Sequence, residues 1–137
     1  METKKHCYPL TILESHLDTF GHVNNAAYLQ IFEEARWDLI TGNGYGLDYI
    51  LECGLGPVIL EVNLRFHKEL KLRKKVVIET TLKAYDKMLA TIVQKIVDAD
   101  GQNYCSAEFR FGLFDLKARK LVLPTPAWLN GIGVNSN

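Results

Sequence analysis

Two periodicities divide the chain. From Ala26 to Thr41, Tyr28/Leu29, Phe32, Ala35/Arg36 and Leu39/Ile40 recur at helical spacing. This predicts one long helix with an apolar face, with Glu33, Glu34 and Asp38 on parts of the others. Asn24 or Asn25 can cap its start, because a side-chain oxygen there accepts an early backbone N–H. Gly42 and Gly44 can end it. After Pro57 the period becomes two. Val58, Leu60, Val62, Leu64 and Phe66 alternate with more polar neighbours, as do Val76, Ile78, Thr80, Leu82 and Ala84. Met88 to Val97 reads as a further strand, and Asp98-Ala99-Asp100-Gly101 as a hairpin turn. Cys105, Ala107, Phe109, Phe111 and Leu113 then face one way.

The rest of the pattern is shorter. Cys7 to Leu13 reads as a strand, Glu14 to Asn25 as a polar loop, and Tyr45 to Cys53 as a short helical segment. A turn at Leu116 to Arg119 leads to Lys120-Leu121-Val122 and a Pro-containing tail. A helix and a sheet with one apolar face each must cover each other. The order predicts an α+β fold, a curved antiparallel sheet wrapped around one long central helix. Residues 1–137 then form a single domain. The outer sheet face, with Glu61, Asn63 and Arg65, is expected to be polar or paired with another subunit.

Charge narrows the partners. Lys+Arg and Asp+Glu number 16 each, so the formal net charge is zero. Nucleic acid and anionic membrane surfaces are not expected, because both need clustered excess cations. The stretch Lys68 to Lys75 is basic and reads first as a solvated turn. Cys7, Cys53 and Cys105 are far apart, which suits reduced thiols and a cytoplasmic setting. The N-terminal Met1-Glu2-Thr3-Lys4-Lys5-His6 leads into no sustained apolar run, so no secretory signal is expected.

Chemistry concentrates just before the long helix. His16-Leu17-Asp18-Thr19-Phe20-Gly21-His22-Val23-Asn24-Asn25 holds two histidines, an aspartate and two asparagines. A helix N-terminus has unpaired N–H groups with partial positive charge, suited to a developing oxyanion. Asp18 can sit across the same space as general base or nucleophile. The spacing of His16, Asp18 and His22 matches no metal pattern. Neither a Gly-x-Ser-x-Gly elbow nor a phosphate loop occurs.

Asp18-Thr19-Phe20-Gly21-His22-Val23-Asn24-Asn25-Ala26-Ala27-Tyr28-Leu29, continuing to Phe32-Glu33-Glu34-Ala35-Arg36, resembles the signature of hotdog-fold thioesterases. The likeness is to the hydroxybenzoyl-coenzyme A thioesterase-like group. His22-Val23-Asn24-Asn25 is also similar to the plant acyl-carrier-protein thioesterases. The motif covers Asp18 to Arg36, and the element order matches over nearly the whole chain. The resemblance implies dimers, often paired into tetramers, with active sites at the subunit interface. It implies Asp18 as the catalytic carboxylate and Asn25 as the residue whose backbone N–H polarises the thioester carbonyl. His22 matches the family's loop histidine. A histidine that one branch carries at the place of Asn25 is absent, as is an asparagine that the plant enzymes carry at the place of Phe20. What remains is Asp18 with a helix N-terminus.

The expected activity is hydrolysis of an acyl-CoA or acyl-carrier-protein thioester, with no cofactor. Two other readings use the same pocket: a module that binds acyl thioesters without hydrolysing them, and a hydratase or dehydratase pairing Asp18 with His22. Glu33 or Glu34 would be a second acid only if buried, and Glu61 and Asn63 would line a site only if a partner covers them. Lys68, Lys71, Arg73, Lys74 and Lys117 to Lys120 are available to the carrier, and the pattern ranks none of them.

Overall fold

The computed structural model describes residues 4–134; Met1 to Thr3 of the polar N-terminal stretch lie outside the described residues. Strand β1 (His6–Thr11) comes first, and a short 3-10 turn (Glu14–His16) opens the polar loop. Helix α1 (Asn25–Gly42) is the expected long helix. Helix α2 (Leu47–Cys53) follows it. Strands β2 (Leu55–Phe66), β3 (Lys75–Asp86), β4 (Leu89–Val97) and β5 (Asn103–Asp115) come next. A short β6 (Lys120–Val122) and helix α3 (Pro126–Gly131) complete the order.

The six strands make one antiparallel sheet in the order β1-β3-β4-β5-β2, with β6 paired to β5. Helix α1 lies against its inner face. Ala27, Tyr28, Ile31, Phe32, Ala35, Leu39 and Ile40 are buried on α1. They meet Ile78, Ile92, Phe109 and Phe111 from the sheet in one core. Phe32 and Phe109 touch edge-to-face, with ring centroids 6.0 Å apart. Arg36 bridges the layers: its guanidinium sits 4.2 Å over the Phe109 ring, and Nη1 donates to Gln94 Oε1 at 3.0 Å. Gln94 is fully buried, and its Nε2 donates to Phe32 O and Thr80 Oγ1.

Two strands depart from simple alternation. The β2–β5 register slips at Leu60: Ile59 lies opposite Phe111, and Glu61 opposite Arg110. A bulge inserts one residue and flips the faces on one side of it. Ile59, rather than Val58 and Leu60, therefore joins Val62, Leu64 and Phe66 on the inner face. A second slip between Leu82 and Ala84 puts Tyr85, opposite Ala90, on the inner face and leaves Ala84 exposed. Leu29 is also exposed, at 39%, and Ile31 takes its expected place in the core. Helix α3 is an addition to the tail, capped by Thr125 Oγ1 on Trp128 N–H with Pro126 at its first turn. Its Trp128 is buried against Tyr45 and Phe111.

Strand β2 ends the sheet. Its Ile59, Leu60, Val62 and Phe66 are each at least 40% exposed. Among the described residues, no helix is long and apolar enough to cross a membrane.

Candidate active site

The loop before α1 is built by its own polar side chains. Asp18 Oδ1 accepts from the backbone N–H of Phe20 at 2.9 Å and of His22 at 3.2 Å. Gly21 N–H donates to Asp18 O, and Asp18 N–H to His22 O at 2.8 Å. The turn closes because Gly21 takes φ +80°, which glycine adopts at no steric cost. A bridge between Leu17 and Val23 and a bond from Asn24 N–H to His16 O tie the loop ends together. His16 Nδ1 accepts from Leu13 N–H, so this histidine is engaged in shaping the loop.

The helix start follows from the same local bonding. Asn24 is the N-cap, and its Oδ1 accepts from Ala26 N–H at 2.8 Å. The N–H groups of Ala27 and Tyr28 reach Asn24 O. Three of the early donors are thereby used. The backbone N–H of Asn25 has no partner among the described residues. It stands at the positive end of an 18-residue helix.

A cavity of about 340 Å³ opens beside this donor, lined by His22, Val23, Asn25, Tyr28, Phe66, His67, Lys68, Glu69 and Leu70. His22 Nε2 lies 2.8 Å from Glu69 Oε1, tying the loop to the β2–β3 connection. His67 Nε2 lies 3.0 Å from Ser106 Oγ, which also accepts from Asn103 Nδ2. Of the three residues expected from sequence, His22 and Asn25 line this cavity. Asp18 sits half-buried in the adjoining loop, outside the lining, with Oδ1 turned to its own backbone and Oδ2 unpartnered among the described residues.

Tyr28, His67 and Glu69 were not singled out from sequence. Tyr28 falls on the apolar stripe of α1, which hides its hydroxyl. Glu69 interrupts a basic run, the one local sign that the run is not uniform. Of that run, Arg73 pairs with Glu14 at 2.7 Å and Lys74 with Asp98 at 3.4 Å. Lys68 alone of its lysines lines the cavity.

A second, smaller cavity of about 130 Å³ runs beside α1 between Leu39, Ile40, Ile59, Ile92, Phe111 and Trp128. It is apolar, with Arg36 and Glu33 on its wall. Burial holds the Arg36 guanidinium down at about 10, below its usual value, against the nearby Glu33 carboxylate that raises it. Glu33 and Glu34 are exposed, and Glu34 accepts from the Tyr8 hydroxyl at 3.2 Å. On the outer sheet face, Glu61 pairs with Arg110 at 3.6 Å.

A curved antiparallel sheet around one long helix is the fold of the hotdog thioesterases. The Thioesterase-like superfamily model matches residues 13–131, and the chain belongs to that family. It is 30% identical over 106 residues to the long-chain acyl-CoA thioesterase FadM of Escherichia coli, covering 77% of this chain and 80% of FadM. It is 28% identical over 130 residues to the L-carnitine dehydrogenase/betainyl-CoA thioesterase of Agrobacterium fabrum. That match covers 91% of this chain but 27% of the larger protein. Among solved structures, a 1,4-dihydroxy-2-naphthoyl-CoA thioesterase from Synechocystis superposes with a TM-score of 0.84 at 17% identity. It covers 94% of this chain and 96% of that one, and establishes the shared fold.

Proposed function

We propose that this chain is an acyl-CoA thioesterase that hydrolyses its substrate to a free acid and a thiol. The observation that carries the reading is the unpartnered N–H of Asn25, a residue that lines a cavity beside the Asp18 loop. A thioester carbonyl placed there gains a donor aimed at the oxygen on which charge develops. Family membership and the two thioesterase relatives support the same chemistry.

Asp18 supplies the second half of the reaction. Its Oδ1 is spent on the loop, so Oδ2 is the oxygen free to work. It either takes a proton from the attacking water or attacks the carbonyl itself, giving an anhydride that water opens. In both routes the electron pair moves onto the carbonyl oxygen, returns, and expels the thiolate. His22, held by Glu69, orients the loop. The apolar cavity beside α1 receives the acyl group, with Leu39, Ile40, Ile92 and Phe111 among the apolar side chains on its wall.

The active unit is a homodimer or homotetramer built on the exposed β2 edge. A 12-residue edge strand with apolar side chains open to water invites pairing with another chain. Three free thiols suit a reducing cytoplasm.

A hydrolysis screen over acyl-CoA chain lengths and aromatic acyl-CoA thioesters tests the reading. Thiol release on at least one class is expected. Tight binding of S-alkyl-CoA thioethers with no turnover of any thioester would make the chain a binding module instead.

A further inference from the structure

The first turn of α1 brings a second polar group to the cavity at the helix start. Tyr28 is only 5% exposed, and it lines that cavity with Asn25 and His22. Its ring packs edge-on against Phe66, with centroids 5.1 Å apart. Its hydroxyl has no hydrogen-bond partner among the described residues. It is not sealed in either: the sealed, unpartnered side-chain atom among those residues is Asn103 Oδ1. The Tyr28 hydroxyl therefore keeps some exposure, and the cavity that the residue lines is the opening beside it.

Helix geometry sets where that hydroxyl lies. Tyr28 is three residues after Asn25, so the two share a face one turn apart. Helical side chains lean toward the N-terminus and cover the preceding turn. That tendency leans the Tyr28 ring toward the turn that holds the open Asn25 N–H, with Phe66 against the ring. A ligand that fills the cavity strips water from this hydroxyl, and must return a hydrogen bond or bind at a loss.

We propose that the Tyr28 hydroxyl is a catalytic donor to the thioester carbonyl oxygen, acting beside the backbone N–H of Asn25. This rests on the thioesterase reading. When water or Asp18 adds to the carbonyl carbon, the π electron pair moves to oxygen and both donors hold the resulting oxyanion. The pair then returns, the carbon–sulfur bond breaks, and the thiolate leaves. Tyr28 keeps its proton throughout. Burial, with smaller contributions from Cys105 and Glu69, pushes its pKa up to about 12, so it is a neutral donor at ordinary pH.

Tyr28→Phe keeps the ring and its contact with Phe66 and removes only the donor. With a substrate found in the hydrolysis screen, kcat is expected to fall about 10²-fold. KM should stay within about threefold, as for an interaction made mainly in the transition state. Two CoA analogues separate this from a packing role. A ketone isostere, with the carbonyl kept and sulfur replaced by CH2, should bind the variant more weakly. An S-alkyl-CoA thioether, which has no carbonyl, should bind it as before. A variant with kcat within about twofold of wild type, binding both analogues unchanged, overturns the proposal. A wild-type chain that binds the thioether but turns over no acyl-CoA overturns the thioesterase reading, and this proposal with it.

Discussion

The Asn24 side chain accepts the Ala26 N–H at 2.8 Å, and so settles which early donor of α1 is left for a ligand. Ala27 and Tyr28 are served by the Asn24 carbonyl, leaving Asn25 open. Removing the cap in Asn24→Ala should cost about 1 kcal/mol of stability. It should also lower kcat, because the freed Ala26 N–H competes for the carbonyl and the helix start loses its geometry. Asn24→Asp keeps the acceptor and should keep the stability. Urea unfolding together with steady-state kinetics checks both; equal kcat in Asn24→Ala and wild type would show that the cap does not shape the site.

Asp18 holds the loop with Oδ1, and two substitutions separate that role from the one proposed for Oδ2. Asn keeps an acceptor for the N–H groups of Phe20 and His22, while Ala keeps none. Asp18→Asn should therefore melt close to wild type yet lose about 10²–10⁴-fold in kcat. Asp18→Ala should lose activity and loop order together. An Asp18→Asn protein with near-normal turnover would remove Asp18 from the mechanism.

The parts of this fold legible in the sequence are those encoded by local periodicity. The stripe of α1, the alternation in β5 and the Asp98–Gly101 hairpin all appear where expected. The bulges at Leu60 and Lys83 do not announce themselves, because one inserted residue leaves an apolar neighbour on either side. The site divides the same way. Asp18, His22 and Asn25 lie in one short stretch of chain, from the loop to the first residue of α1, so their proximity is covalent. Glu69 reaches His22 only through the fold, from just past the far end of β2. Tyr28 is hidden by its setting: phenol and benzyl rings look alike in an apolar stripe, and only the open hydroxyl distinguishes them.

Among the described residues, Gln94 Oε1 is the hydrogen-bond acceptor of the half-buried Arg36 guanidinium. Gln94→Leu removes the hydrogen-bond acceptor of that charge and strips Thr80 and the Phe32 carbonyl of a donor. A loss of about 3 kcal/mol is expected. Adding Arg36→Met should recover part of it, since the stranded charge is removed. Denaturant unfolding of the two single variants and the double closes the cycle; strict additivity would mean that the two side chains are not coupled.

Stability should fall in alkali. Burial raises the Cys105 thiol from 9.0 to about 12 and the Tyr28 phenol from 10.0 to about 12. Tyr45 and Tyr85 are also raised, by burial first. The unfolded chain releases these protons before the folded one does, so unfolding gains free energy as pH rises. The loss begins above pH 9.0, where the unfolded thiol titrates, and deepens through the tyrosine range toward the folded values. Cys105→Val should remove the earliest part of that slope. Unfolding free energies measured from pH 7 to 11 would show it; an identical slope in wild type and Cys105→Val would assign the alkaline loss to the tyrosines alone.

The β2 edge carries the last prediction. Ile59 and Val62 are each 40% exposed on the inner side of a strand whose outer edge has no partner among the described residues. Soluble proteins blunt such edges with charge or proline. Here Pro57 stands at one end, and the charges Glu61 and Arg65 point to the outer face, so the inner stretch is unprotected. A second copy would cover both the strand edge and the mouth of the apolar cavity, since Pro57 and Ile59 line that cavity. Ile59→Lys with Val62→Lys should therefore leave the chain folded, halve or quarter its mass in sedimentation, and lower turnover of acyl-CoA. Far-UV circular dichroism guards against simple unfolding. A wild-type chain that sediments as a monomer at working concentration with full turnover would show that one copy completes its own acyl pocket, and the β2 edge would then need another cover.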